Sequence, residues 1–110
     1  MRKRNRPPVH PGAIIKYDYL EPLLLTVTQL AQHLGVSRVI VSKIVNERAS
    51  VTADMALRLA SVFDTTPDLW LGLQKEYDLW HAENDTSTWR NAIRLVMPKD
   101  VVSQGDMVSA

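Results

Sequence analysis

Between Thr26 and Asn46 the apolar positions recur at helical spacing on either side of Gly35, which predicts two short helices joined by a tight turn. The positions expected to face inward are Leu30, Ala31, Leu34, Val41, Ile44 and Val45. Two helices joined in this way can place the second in the major groove of DNA while the first braces it. An ordinary helical hairpin has the same spacing, so spacing alone leaves DNA binding and plain packing equally open.

Polar residues decide between these two interpretations. Thr26 is the predicted N-cap of the first helix, with Gln29 completing a capping box, and Ser37 is the predicted N-cap of the second. The outward side of the second helix carries cations, a hydroxyl and an amide, and no carboxylate occurs from Arg38 to Asn46. Arg and Lys bind guanine edges or phosphates, Asn binds adenine edges, and Ser binds either base or backbone. This chemistry favours DNA binding.

Three more helices are predicted around this pair, which makes the domain all-α. One runs from residue 11 to about 20, one begins after Thr52, and one runs from residue 67 to about 83. Residues 89–96 fit a short sixth helix, and residues 93–97 alternatively fit a strand. We therefore predict a helical domain over residues 10–84, preceded by a disordered basic arm over residues 1–9. A partly disordered C-terminal extension follows over residues 85–110.

The fifth predicted helix carries apolar side chains at heptad-like spacing. This seam consists of Trp70, Leu73, Tyr77 and Trp80. Aromatic residues at helical spacing usually lie in the protein's own core. Leu69, Leu71 and Leu79 lie off the seam, so the helix is apolar on more than one side. We predict that the seam forms the interface of a two-fold symmetric homodimer, with core packing contributing as well.

Composition excludes several classes of function. A chain of 110 residues fits one domain with a single helical core, and the absence of cysteine excludes disulfides and thiolate metal sites. The three histidines lack metal-ligand spacing and the four glycines form no phosphate-binding loop. No apolar run is long enough to span a bilayer, and no signal-peptide pattern precedes the first helix. We expect a cytoplasmic protein that is not an enzyme and needs no metal or cofactor.

The net charge of +1 says little, but its distribution is uneven. The cations Arg2, Lys3, Arg4, Arg6 and Lys16 all precede the first acid, Asp18, whereas acids gather after residue 63. A basic end and an acidic end indicate two surfaces with different partners. The basic arm is either a solubilising tail or a segment that contacts phosphates or the minor groove, and both interpretations stay open.

Several stretches together resemble one known family. These are His10-Pro11-Gly12, Leu20-Glu21-Pro22-Leu23, the paired helices, and residues 52–60, 66–74 and 77–80. They resemble the HigA (VapI-type) antitoxins of the XRE, lambda-repressor-like helix-turn-helix group, over roughly residues 9–84. The resemblance implies a five-helix domain that binds a palindromic operator as a homodimer and represses its own operon. It also implies a protein partner, a RelE-like HigB toxin that cleaves messenger RNA and that the antitoxin neutralises.

Matched by position, the family's DNA-facing residues are Ser37, Arg38, Val39, Ser42 and Lys43, with Gln29 at a backbone-contacting position. Asn46 adds a neutral hydrogen-bonding group, as its amide suits base edges. Two departures stand out. Val39 and Ile40 replace small polar residues, and Asn46-Glu47-Arg48 replaces Asn-Gly-Lys, which predicts a left-handed Asn46.

Two alternatives to an antitoxin remain at this point. One is a transcriptional repressor of the same group that has no toxin partner. The other is a protein-interaction module that has lost DNA binding, an interpretation favoured by the apolar Val39 and Ile40 and the small net charge.

Overall fold

A computed structural model describes residues 6–96, and every regular element in that range is helical. Helix α1 (Pro11–Ile14) continues directly into a π-helical segment (Ile15–Leu20). The elements that follow are α2 (Val27–Leu34), α3 (Arg38–Val45), α4 (Ala53–Phe63), α5 (Pro67–Asp85) and a 3₁₀ turn (Thr88–Asn91). The prediction of an all-α, five-helix fold is confirmed.

The ends of the predicted domain differ in detail. Of the basic arm, the structure describes residues 6–9, where Pro8 is already buried, so the packed domain begins before His10. Arg2, Lys3 and Arg4 lie outside the described residues, as do positions 97–110. Within the described residues, the C-terminal extension forms one 3₁₀ turn, and residues 92–96 have no regular structure. Ile93 and Val96 are almost fully exposed, so no packing within the protomer supports a longer helix or strand there.

The core lies where α1 to α5 meet. All six inward-facing positions predicted on α2 and α3 are buried. They pack with Ile15, Leu20, Val51, Met55, Ala56, Leu59 and Trp70. Trp70 is fully buried, its Nε1 donates a 2.7 Å hydrogen bond to Thr65 Oγ1, and its ring lies about 6 Å from those of Tyr19 and Phe63. A single core thus supports both α2 and α3.

The start of α1 is fixed against the end of α3. The buried His10 caps α1, because its Nδ1 accepts a 2.8 Å hydrogen bond from the Gly12 N–H. A Cβ on Gly12 would lie 1.8 Å from the carbonyl oxygen of Ile44, so only glycine permits this approach. The first helix therefore helps to set the position of α3.

Candidate nucleic-acid interface

The turn between α2 and α3 has the predicted end groups. Thr26 Oγ1 accepts a hydrogen bond from the Gln29 N–H at 3.0 Å, and Gln29 Oε1 accepts one from the Thr26 N–H at 2.9 Å. Gly35 ends α2 in the left-handed conformation, with φ of 73°. Ser37 Oγ then accepts a hydrogen bond from the Ile40 N–H at 3.3 Å and caps α3. The predicted helix-turn-helix is confirmed at each of these positions.

Arg58 on α4 holds this turn in place. Its Nη1 donates hydrogen bonds to the carbonyl oxygens of Leu34 at 2.8 Å and Gly35 at 3.3 Å. Its Nε contacts Asp54 Oδ2 at 2.8 Å, which fixes the guanidinium from the other side. The carbonyls at a helix C-terminus lack partners within the helix, so a cation is favoured there. The sequence does not predict this role; its one local sign is the spacing of Asp54 and Arg58, four residues apart, which suits a fixed ion pair.

The exposed side of α3 follows from its buried side. Because Val41, Ile44 and Val45 face the core, the opposite side carries Val39, Lys43 and Asn46, spaced four and three residues apart. Arg38 is exposed and Ser42 half-buried, on the flank of this side. We call the side formed by Arg38, Val39, Ser42, Lys43 and Asn46 the α3 face. It brings together five of the seven residues predicted to bind DNA, while Gln29 and Ser37 are exposed at the starts of α2 and α3.

Two members of the α3 face also have a structural role. Asn46 Nδ2 donates a 2.8 Å hydrogen bond to the Ser42 carbonyl oxygen and lies 3.4 Å from Ser42 Oγ. The Ser42 carbonyl oxygen also accepts the Asn46 backbone N–H at 3.0 Å, so the side chain adds a second bond in the last turn of the helix. One of the two N–H donors of the Asn46 amide is thus engaged within the helix, and the exposed cations Arg38 and Lys43 are the polar side chains best placed for DNA.

The residue in the left-handed conformation after α3 is Glu47, so the prediction for Asn46 is wrong. Asn46 has φ of −92°, whereas Glu47 has φ of 62°. The chain reverses one residue later than predicted because the bond to Ser42 keeps Asn46 close to the helix. The Glu47 N–H bonds the Ile44 carbonyl oxygen at 3.0 Å, and the Arg48 N–H bonds that of Lys43 at 2.7 Å. An exposed carboxylate thus lies at the end of the α3 face.

The loop after α3 is anchored to α5 by Gln74. Its Oε1 accepts a 2.8 Å hydrogen bond from the Val51 N–H, and its Nε2 donates a 2.9 Å hydrogen bond to Asp78 Oδ1. Gln74 is buried, so this amide supplies a partner for a backbone group that cannot reach water.

The predicted dimer seam on α5 needs a correction. Trp70 is fully buried in the protomer core, so its side chain cannot contact a second copy. Heptad-like spacing alone could not show which of several apolar sides of α5 meets the core. Leu73, Tyr77 and Trp80 are half-buried and keep part of their surface exposed.

Tyr77 belongs to a group of rings beside the start of α1. The centroid of its ring lies 4.7 Å from that of His10, in an edge-to-face arrangement, and 4.3 Å from that of His81. Burial raises the pKa of Tyr77, and the charges of Glu47, Asp78 and Asp85 raise it further. Burial lowers the pKa of His10, although Glu47, Asp78 and the Ala49 backbone act in the opposite direction. The contact between the rings of His10 and Tyr77 thus joins the start of α1 to α5.

Other kinds of site find no support in the part of the chain that the structure describes. Over residues 6–96, no group of three His, Asp or Glu side chains is arranged to hold a metal ion. No helix described there is both long and apolar enough to cross a membrane.

The geometry agrees with what comparison with known proteins shows. A helix-turn-helix family model matches residues 17–70. An uncharacterized HTH-type transcriptional regulator, YbaQ of Escherichia coli (strain K12), is 49% identical over 88 residues, which cover 80% of this chain and 78% of that protein. Antitoxin HigA-1 of Vibrio cholerae is 40% identical over 84 residues, covering 76% of this chain and 79% of that protein.

A solved structure of the Pseudomonas aeruginosa antitoxin HigA with the higBA promoter also matches. It superimposes with a TM-score of 0.70 at 36% identity, covering 81% of this chain and 99% of that one. The 81% of this chain that is matched is longer than residues 17–70, so the similarity extends beyond the helix-turn-helix itself.

Proposed function

The chain belongs to the XRE-type helix-turn-helix family of the HigA antitoxins, and we propose that it is an operator-binding repressor that also neutralises a toxin. The observation that carries DNA binding is the α3 face. Arg38 and Lys43 are exposed there, and no acid occurs between residues 38 and 46. The start of α2, with its exposed Gln29, supplies a second position for phosphate contact, and Ser37 offers its hydroxyl at the start of α3.

The protein acts as a homodimer on a palindromic operator. Helix-turn-helix dimers place their recognition helices about 34 Å apart, one turn of the duplex. Leu73 and Trp80, half-buried on α5, and the exposed Leu69 are spaced so that they lie along one side of the helix. This stripe is the surface we assign to the dimer, with Tyr77 at its edge.

The second activity is neutralisation of a HigB-like, RelE-type toxin that cleaves messenger RNA. This proposal is supported by the 40% sequence identity to antitoxin HigA-1, which extends over most of both chains. Repressor and toxin would both act in the cytoplasm, where operator and messenger RNA are found.

Operator binding is tested by Lys43→Ala with the exposed Lys75→Ala on α5 as the matched control. We expect the first variant to weaken binding to the DNA upstream of its own reading frame at least tenfold at fixed salt. The control should bind like the unchanged protein. If Lys43 contacts a phosphate, the slope of log affinity against log salt should also fall by about 1. An unchanged midpoint for Lys43→Ala would mean that α3 is not the recognition helix.

A repressor without a toxin is the second candidate. It is favoured by the identity to YbaQ, which at 49% is higher than the 40% to HigA-1 and whose name is that of an uncharacterized HTH-type transcriptional regulator. Co-expression with a short neighbouring reading frame, followed by co-purification, separates the two. A stable complex that suppresses the neighbour's toxicity supports the antitoxin, whereas the absence of both leaves the repressor.

The third candidate, an interaction module without DNA binding, rests on the apolar Val39 and Ile40 and on the exposed Glu47. Phosphate contacts release counterions, so DNA binding must weaken steeply as salt rises. A protein that binds duplexes with no salt dependence, or does not bind them, would fit this candidate.

A further inference from the structure

The residue in the middle of the α3 face is apolar. Val39 is 58% exposed, although the next valine, Val41, is buried. Val39 shares its side of the helix with Lys43 and Asn46. It is the second residue of α3, in the N-terminal part that helix-turn-helix proteins bring to the base edges. If α3 lies in the major groove, a side chain in this position faces the base edges.

Val39 can contribute no hydrogen bond to a base. The nearby Ser37 hydroxyl already accepts the Ile40 N–H, and the Asn46 amide nitrogen already bonds the Ser42 carbonyl oxygen. These two polar groups near Val39 are therefore partly engaged within the helix. Val39 itself can recognise a base only by apolar contact. In the major groove, the apolar feature that a standard base edge presents is the 5-methyl group of thymine.

We propose that Val39 selects a 5-methylpyrimidine in each half of the operator, by apolar contact with the methyl group. Ile40, which is 45% exposed on the flank, widens the same apolar surface. This inference rests on the proposed DNA binding. It further requires that a thymine and a 5-methylcytosine be nearly equivalent at this position, because Val39 senses the methyl group and not the hydrogen-bonding pattern of the base.

The test uses the full chain and a duplex that the protein itself selects from a randomised library. Each thymine is replaced singly by deoxyuridine, which removes the methyl group and keeps every hydrogen-bonding group. At one position in each half-site we expect affinity to fall about fourfold, the effect of exposing one buried methyl group. At that position a C·G pair should bind poorly, and 5-methylcytosine should restore most of the loss.

Val39→Ala identifies the residue responsible. The variant should fold normally, because the side chain is exposed and Ala favours helix. It should bind the thymine and deoxyuridine duplexes equally well at the sensitive position. Leu79→Ala on α5 is the matched control, since Leu79 is similarly exposed at 55%. It should keep the full difference between the two duplexes.

Each other result overturns the proposal. A difference that persists in Val39→Ala means that another residue contacts the methyl group. A duplex in which no deoxyuridine replacement matters rules out methyl recognition, while operator binding itself stands. If the library yields no bound duplex, the proposed DNA-binding function fails and methyl recognition fails with it.

Discussion

Replacing Glu47 by glycine should stabilise the protein. Glu47 has φ of 62°, in the left-handed region where a side chain costs about 1–2 kcal/mol. Glycine removes that strain but gains freedom in the unfolded chain, which offsets about 0.4–1 kcal/mol. The free energy of unfolding should therefore rise by about 1 kcal/mol. In thermal unfolding followed by circular dichroism, this corresponds to a rise in Tm of about 4–8 °C.

Two further variants separate backbone strain from charge at this position. Glu47→Gln removes the carboxylate and keeps a long side chain in the left-handed conformation, whereas Glu47→Asn is neutral and tolerates that conformation better. If strain dominates, Tm should rise most for Gly, less for Asn and least for Gln. A Gln variant as stable as the Gly variant would refute the strain argument and assign the effect to the negative charge at the C-terminal end of α3.

Operator affinity gives an independent measurement on the same variants. Glu47 follows the α3 face directly, so its charge should repel the phosphates of bound DNA. If the nearest phosphate lies about 10 Å from the carboxylate, this repulsion in water at low salt is worth about 0.4 kcal/mol, or about twofold in affinity. Gln and Gly should therefore tighten binding equally, although they differ in Tm.

Five other changes test separate contacts. Arg58→Met should lower stability by about 1–3 kcal/mol and weaken operator binding, because the carbonyls of Leu34 and Gly35 lose a charged donor. Asp54→Asn, which disturbs only the exposed ion pair to Arg58, should change stability by less than about 1 kcal/mol in the same thermal assay. Trp80→Ala should shift the protein toward monomer in light scattering, with the exposed Trp89→Ala as control, and a persisting dimer would exclude Trp80 from the interface. Gly12→Ala should destabilise by at least about 1–3 kcal/mol in denaturant titration, since its Cβ would meet the Ile44 carbonyl oxygen. Because burial lowers the pKa of His10, the unfolded chain takes up a proton near its ordinary pKa of 6.5 before the folded chain does. Stability should thus fall as pH drops from about 6.5 toward the folded pKa, and His10→Asn should lose that part of the dependence.

The features that sequence could predict are those that depend on neighbouring residues. The capping box of Thr26 and Gln29, the left-handed Gly35 and the inward side of α3 each follow from side chains within one or two turns. The same local reasoning could not place α5, because a helix that is apolar on several sides gives no sign of which side meets the core. The heptad-like spacing therefore predicts that Trp70 contacts the second copy of a dimer, although its side chain is fully buried in the protomer.

What local reasoning misses is the set of distant side chains that fix α3. Arg58 satisfies carbonyls 24 and 23 residues earlier, and Gln74 satisfies the N–H of Val51, 23 residues earlier. Gly12 contributes by having no side chain, which lets α1 lie on the carbonyl of Ile44. None of the three lies on the α3 face, yet Arg58 fixes the turn before α3, Gly12 meets its last turn and Gln74 fixes the loop that follows it. Substitutions at these positions should therefore alter operator binding by moving or loosening the recognition helix, with no loss of a DNA contact. Their signature is a fall in Tm together with affinity and an unchanged salt slope, whereas loss of a phosphate contact at Lys43 changes the slope and leaves Tm nearly constant.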